Sequence, residues 1–308
     1  MKEEFRGIQP HEIVTVTQMK HITEIQYLEK MNTSCNIRKL DKDRYMRLDT
    51  GEIHEYNHID TRDESYNSLR QTFKKIRNLI NNNFEGTGNE LHVTLTYAEN
   101  VTDPKRLYSD FDKFAKRLRY KYKSVSSIDY MSVVEPQERG AWHCHVLLRF
   151  NDLERVYIAN NVNRKTGESI DAPLRDMWGQ GNVTIHSLKG VDNIGAYLSA
   201  YLADVELNDD TALTAAIEER QILTKTVNGT EKRFIKGGRL HMYPAGMNLY
   251  RKSKGIEHPE RPKMTYQKAK KIVGSGKPHY EKTIRIETDD FENTIHFEQY
   301  NTKRLTHV

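Results

Sequence analysis

Residues 130–150, YMSVVEPQERGAWHCHVLLRF, constrain this chain more than any other stretch. Two β-type runs flank a turn marked by Pro136 and Gly140, and the second run alternates in polarity. Trp142, Cys144, Val146, Leu148 and Phe150 then share one face of a strand, and His143, His145, Leu147 and Arg149 the other. The two histidines stand side by side, roughly 7 Å apart along the strand. Two neutral imidazoles so placed can reach one divalent ion, whereas Cys144 points into the core and is a poor ligand. Glu135, across the turn, can add an oxygen ligand if the hairpin register places it opposite His143 or a residue of the same parity. Glu138, in the turn itself, is the other carboxylate in reach. An HxH pair also occurs as a plain polar strand face, so the rest of the chain has to decide.

The neighbouring segments build a sheet around it. Leu91–Tyr97, LHVTLTY, alternates as an interior strand with His92, Thr94 and Thr96 on its polar side. Asp103-Pro104 supplies a helix N-cap and a first-turn proline, and Leu107, Phe111, Phe114 and Leu118 give the buried stripe of a helix running to about Tyr122. A short helix over 173–178 and a strand over 181–186 follow. A helix spans Val191–Val205, on which Tyr197 and Tyr201, four apart, share a face. Further helices are expected over 63–81 and within 151–166. The order strand, helix, strand, turn, strand, helical linker, strand, helix predicts an α+β fold: a central antiparallel sheet of split βαβ (ferredoxin/RRM-like) type. Helices are expected on one face and an open metal and DNA site on the other.

Outside this region the sequence is less directive. IVTV at 13–16 and RYMRLDTGEIHEY at 44–56 suggest short strands, with a turn at Thr50-Gly51. Residues 208–231 read as a loop or helical excursion, and 285–297 as a hairpin around Asp289-Asp290. The expected organisation is an accessory segment over 1–85, a nuclease domain over 86–210 and a basic DNA-binding segment over 211–308. From Lys225 to Lys282 there are fifteen Lys/Arg, four Glu and no Asp. That basic run suits phosphate contacts, and Tyr243, Tyr250 and Tyr266 within it suit base stacking. Lys116, Arg117, Arg239, Arg251, Lys252 and Lys254 are the candidate DNA-binding cations. Two cysteines, Cys35 and Cys144, make no disulfide framework, and no apolar run reaches membrane-spanning length. A cytoplasmic protein with no membrane partner is expected. The absence of GxxxxGK[ST] assigns any unwinding to a separate helicase or to supercoiling.

A His2Glu set suits Mg²⁺ or Mn²⁺ and leaves room for a phosphodiester oxygen. A tyrosine hydroxyl brought to that phosphorus is a fitting nucleophile, because a phosphotyrosine conserves the bond for rejoining. A tyrosine pair at this spacing also occurs in ordinary helix packing.

LHVTLTY, VVEPQERGAWHCHVLL and IGAYLSAYLAD resemble, in order and spacing, the HUH endonucleases. They are most similar to the two-tyrosine rolling-circle replication initiators of plasmids and phages of Gram-positive bacteria. The resemblance covers roughly residues 88–255. It implies that His143, His145 and Glu135 are metal ligands and that Tyr197 and Tyr201 are nucleophiles. Ala200 stands where such proteins often carry a lysine before the second tyrosine. The implied activity is metal-dependent nicking and rejoining of single-stranded origin DNA through a 5′-phosphotyrosine, with origin hairpin DNA, a host helicase and a polymerase as partners. An HUH relaxase or transposase shares the chemistry. A water-using metal phosphodiesterase and a non-catalytic nucleic-acid-binding module are the other readings these residues allow.

Overall fold

The computed structural model describes residues 6–31, 36–56, 66–137, 139–157, 172–203, 205–206, 222–227, 230–235, 242–244, 246–288 and 291–304. Of residues 66–70, 172, 200–203, 205–206, 222–227, 230–235, 288 and 291, the backbone alone is described. In chain order the strands are β1 (Ile13–Met19), β2 (Ile22–Leu28), β3 (Ile37–Lys39), β4 (Arg44–Arg47), β5 (Ile53–Glu55), β6 (Glu90–Thr96), β7 (Ile128–Pro136), β8 (Trp142–Phe150), β9 (Val183–Ser187), β10 (Val205–Glu206), β11 (Ile222–Val227), β12 (Thr230–Ile235), β13 (Tyr250–Lys252), β14 (Lys263–Thr265), β15 (Tyr280–Thr288) and β16 (Phe291–Asn301). The helices are α1 (Tyr66–Asn83), α2 (Pro104–Tyr122), α3 (Ala172–Trp178), α4 (Ile194–Ala203) and α5 (Tyr266–Val273). They form two compact units, residues 61–258 and residues 1–60 together with 259–308. The division differs from the expected breaks after residues 85 and 210: α1 joins the histidine-bearing sheet, and the two ends of the chain form one unit.

The 61–258 unit is built on a five-stranded sheet in the order β13-β7-β8-β6-β9, with every neighbouring pair antiparallel. β6 and β7 run parallel with β8 between them, and β8 and β9 run parallel with β6 between them. That is the split βαβ arrangement, α2 making the first crossover. A smaller sheet, β10-β12-β11, belongs to the same unit. It corrects the loop or helical reading of residues 222–231. ILTKTV and TEKRFI are β-branched and bracket Asn228-Gly229, a strong hairpin signal.

Helix α2 forms where expected. Asp103 accepts hydrogen bonds from the Lys105 and Arg106 amides, and Leu107, Phe111, Phe114 and Leu118 are buried. It lies against the Cys144 face of the sheet, with the Phe111 and Tyr130 rings 5.4 Å apart and Tyr97 Oη donating to Asp110. α3 joins it there through Trp178, whose ring meets Tyr97 and Phe114.

The opposite face is not bare, contrary to the sequence expectation of an open site. α1 and α4 pack on each other and lie over it. Arg149, on the histidine side, donates to the Asn83 carbonyl and sits over the Phe84 ring, while Tyr197 of α4 meets His92. α1 also runs two residues past its expected end at Asn81. Asn81 and Asn83, breakers by propensity, are bonded here: Asn83 Nδ2 reaches the Leu79 and Glu257 carbonyls, and Asn81 Oδ1 accepts from the Gly195 amide.

The other unit carries a sheet in the order β14-β1-β2-β16-β15, with α5 packed on the face bearing Val14, Val16, Ile25, Tyr27 and Tyr300. The expected final hairpin is present and long, with Tyr280 opposite Gln299 and Thr288 opposite Phe291. A three-stranded sheet β3-β4-β5 completes the unit.

Candidate metal and tyrosine site

Strand register decides which side chains meet. In β7–β8, Glu135 pairs directly with His143, and Val133 with His145. In β8–β6, Thr96 lies opposite His143, Thr94 opposite His145 and His92 opposite Leu147. Directly paired residues share a face, so Glu135, His143, His145, His92, Thr94 and Thr96 all lie on one side. β9 extends the row, placing His186 opposite His92. The register condition on Glu135 is met; Glu138 lies outside the described residues.

The polar atoms make a connected chain. His145 Nε2 lies 2.5 Å from Glu135 Oε2, both groups being buried. His145 Nδ1 lies 3.1 Å from His92 Nε2 and 3.3 Å from Thr94 Oγ1. The His143 and His145 rings are 6.4 Å apart. His143 Nε2 is buried with no hydrogen-bond partner among the described residues. Cys144 points to the other face and is buried, as expected.

Electrostatics keep these imidazoles neutral. Burial draws His145 down to about 4, and burial with the charges of His145 and Arg139 draws His143 down to about 4. His92 is pulled well below its ordinary value by burial, then by His145 and His186. Burial pushes the Cys144 thiol up to about 12, which keeps it protonated.

Neutral imidazoles beside a carboxylate are the donor chemistry a divalent cation requires, and the orphaned Nε2 of His143 fits a missing partner. Among the described residues no three His, Cys, Asp or Glu side chains are drawn together as a finished ligand set. Glu135 Oε2 is instead engaged by His145 Nε2.

The tyrosine helix is fixed by its first turn. Asn193 acts as the N-cap: its side chain accepts from the Ala196 amide and its carbonyl from the Tyr197 amide. Asn81 of α1 joins this cap, donating from Nδ2 to Asn193 Oδ1 at 3.2 Å and accepting from the Gly195 amide at 2.8 Å. A Cβ on residue 195 would stand 2.7 Å from the Arg77 carbonyl, so only glycine permits this approach. The Tyr197 ring meets His92 edge to face, centroids 5.9 Å apart at 88°. Tyr201 follows one turn on in α4, and its side chain lies outside the described residues.

The candidate DNA-binding residues fare unevenly. Arg251 donates to Asp112 Oδ1 and the Tyr108 carbonyl, and Lys252 donates to the Ile256 carbonyl. Arg117 donates to the Met177 carbonyl. Lys116 and Arg117 ride on α2, which packs on the sheet face away from the histidines. Lys116 and Lys254 are exposed; Arg239 lies outside the described residues. The expected stacking role of Tyr243 is corrected: it is buried, with Oη donating to the Val134 carbonyl. Tyr266 Oη is spent on Glu298.

Sequence reading missed His92 and His186. The signal was present in LHVTLTY, whose polar face carries His92, but only cross-strand register sets that ring beside His145. Among the described residues, no helix is long and apolar enough to cross a membrane.

No curated protein and no solved structure matches the chain. Residues 90–206, from β6 to β10, match the family model described as Replication-associated protein ORF2. The matched segment contains Glu135, both strand histidines, His92 and α4, and is similar to replication-associated proteins of that description.

Proposed function

We propose that this protein initiates rolling-circle DNA replication by nicking and rejoining single-stranded origin DNA. The observation that carries the reading is the unbroken chain of contacts from Glu135 through His145 and His92 to Tyr197, within a segment similar to replication-associated proteins. His143, His145 and Glu135 would hold Mg²⁺ or Mn²⁺, which supplies Lewis-acid neutralisation of phosphate charge.

The chain's own residues perform the rest. A tyrosine of α4, Tyr197 or Tyr201, gives up its phenol proton as Oη bonds to phosphorus. The P–O3′ bond breaks, and the 3′ oxygen departs with the electron pair and gains a proton. The 5′ side remains as a phosphotyrosine, and the free 3′-OH primes synthesis. A 3′-OH attacking that phosphotyrosine reverses the step and reseals the strand. Two tyrosines one helical turn apart allow one to hold a strand while the other attacks the regenerated site. The buried row of neutral histidines keeps bulk water from one flank of the reaction, which favours transesterification over hydrolysis. Arg139, in the turn beside His143, and the exposed Lys116 and Lys254 are cations available for phosphate contacts. Origin hairpin DNA, a host helicase and a polymerase complete the proposed partners, and the basic stretch within 211–308 contributes DNA contacts.

The test uses labelled single-stranded oligonucleotides tiling the protein's own replicon, with Mn²⁺ or Mg²⁺, resolved on a denaturing gel. A labelled protein adduct is expected, lost with EDTA and lost when Tyr197→Phe and Tyr201→Phe are combined. Cleavage that survives the double substitution would point to hydrolysis by water and sink the proposal.

A further inference from the structure

We propose that His92 is a positioning residue that orients His145, its Nε2 hydrogen-bonding His145 Nδ1 so that the opposite nitrogen of His145 faces Glu135. The inference rests on the reading of His143, His145 and Glu135 as a divalent-cation site. It concerns a residue outside that ligand set.

The geometry assigns the two histidines different tasks. His145 meets Glu135 through Nε2 at 2.5 Å and His92 through Nδ1 at 3.1 Å, so His92 stands behind the ring and not among the ligands. An imidazole whose Nε2–H donates to a carboxylate has only a lone pair at Nδ1, which must accept. His92 Nε2–H is the nearer donor, with Thr94 Oγ1 at 3.3 Å behind it. The His92 ring is in turn fixed by His186, centroids 5.8 Å apart, and by the edge-to-face contact with Tyr197. One buried ring therefore touches a proposed ligand on one side and a proposed nucleophile on another.

Packing does not account for this residue. His92 is buried, and its Nδ1 has no hydrogen-bond partner among the described residues. A buried nitrogen without a partner costs free energy, so stability alone favours an aromatic hydrocarbon here. The polar atom that is satisfied is the one aimed at His145. Outer hydrogen bonds of this kind fix the tautomer and orientation of ligating histidines.

The test compares the full chain with His92→Phe, which keeps a ring and loses Nε2, and His92→Gln, whose amide nitrogen can take the place of Nε2. Isothermal titration with Mn²⁺ gives the affinity without DNA or turnover. His92→Phe is expected to bind Mn²⁺ about 10–100-fold more weakly than the parent, and His92→Gln to recover most of that loss. Parent-like affinity in His92→Phe overturns the inference while leaving the metal site standing. A parent chain that binds no Mn²⁺ overturns the site reading itself, and this inference with it. If His92→Phe does not fold, ¹⁵N imidazole spectra of the metal-free parent decide. An exchange-protected Nε2–H on His92 supports the assignment, and a freely exchanging one refutes it.

Discussion

Gly195→Ala tests how tightly the tyrosine helix is seated. The new methyl carbon would stand 2.7 Å from the Arg77 carbonyl oxygen, 2.7 Å from Asn81 Oδ1 and 2.8 Å from Arg77 Cγ. Ordinary contact begins at 3.4 Å, so α4 and α1 have to part by about 0.7 Å. The obstruction is a helix carbonyl, which cannot swing aside as a side-chain tip can. Two effects compete. Alanine in a helix gains up to ~1 kcal/mol over glycine, and less in a first turn. Against it stand ~1–3 kcal/mol for overpacking and ~1 kcal/mol for weakening the 2.8 Å bond from the Gly195 amide to Asn81. The obstruction wins, for a net loss of ~1–3 kcal/mol. The shift also moves Tyr197 relative to His92, and displacement on the scale of 1 Å costs on the order of 100-fold in a positioned reaction. Urea denaturation and oligonucleotide nicking, measured on the same preparations, should both register the change. A variant as stable as the parent, or more so, would show that α4 is not seated against α1 as described.

Other outcomes follow from the same structure. The metal-free protein should lose stability in acid. His143 and His145 have folded-state values near 4, below the ordinary 6.5, so their neutral burial is cost-free above 6.5 and increasingly opposed as pH falls toward 4. The loss is about 2 kcal/mol per histidine near pH 5, and urea midpoints that do not move between pH 8 and pH 5 would contradict it. Replacing Asp103 by Ala removes the side-chain acceptor for the Lys105 and Arg106 amides and should cost about 1 kcal/mol in denaturant unfolding. In a Cys35→Ser background, Cys144 should react with a thiol reagent only as the protein unfolds, because burial holds its thiol protonated. Rapid native-state labelling would place Cys144 elsewhere.

What could be read from the sequence divides along physical lines. α2 was legible because its cap, first-turn proline and apolar stripe are local. The HCH face was legible because strand alternation is strict. Glu135 needed hairpin register, which a turn of uncertain geometry leaves open and which the Glu135–His143 pair resolves. His92 and His186 needed pairing between strands some fifty to ninety residues apart in sequence, information that period-2 alternation does not carry. The covering of the histidine face by α1 and α4 was missed because an amphipathic stripe states that a helix is buried, not against what. The sheet joining β1 and β2 to β14 and β16 was illegible for a similar reason, since its partners come from opposite ends of the chain. Arg251 shows the limit of counting charges. A lysine- and arginine-rich run reads alike whether a given guanidinium meets phosphate or, as here, Asp112.

The central claim is that a tyrosine of α4 becomes bonded to DNA beside the His143–His145–Glu135 site. Mass spectrometry of the protein incubated with Mn²⁺ and a cleaved origin oligonucleotide, after nuclease and protease digestion, measures this directly. The account predicts a nucleotide-bearing peptide spanning α4, modified at Tyr197 or Tyr201 and lost with His143→Ala. DNA cleavage with no modified peptide, or a nucleotide on a residue outside α4, would contradict it.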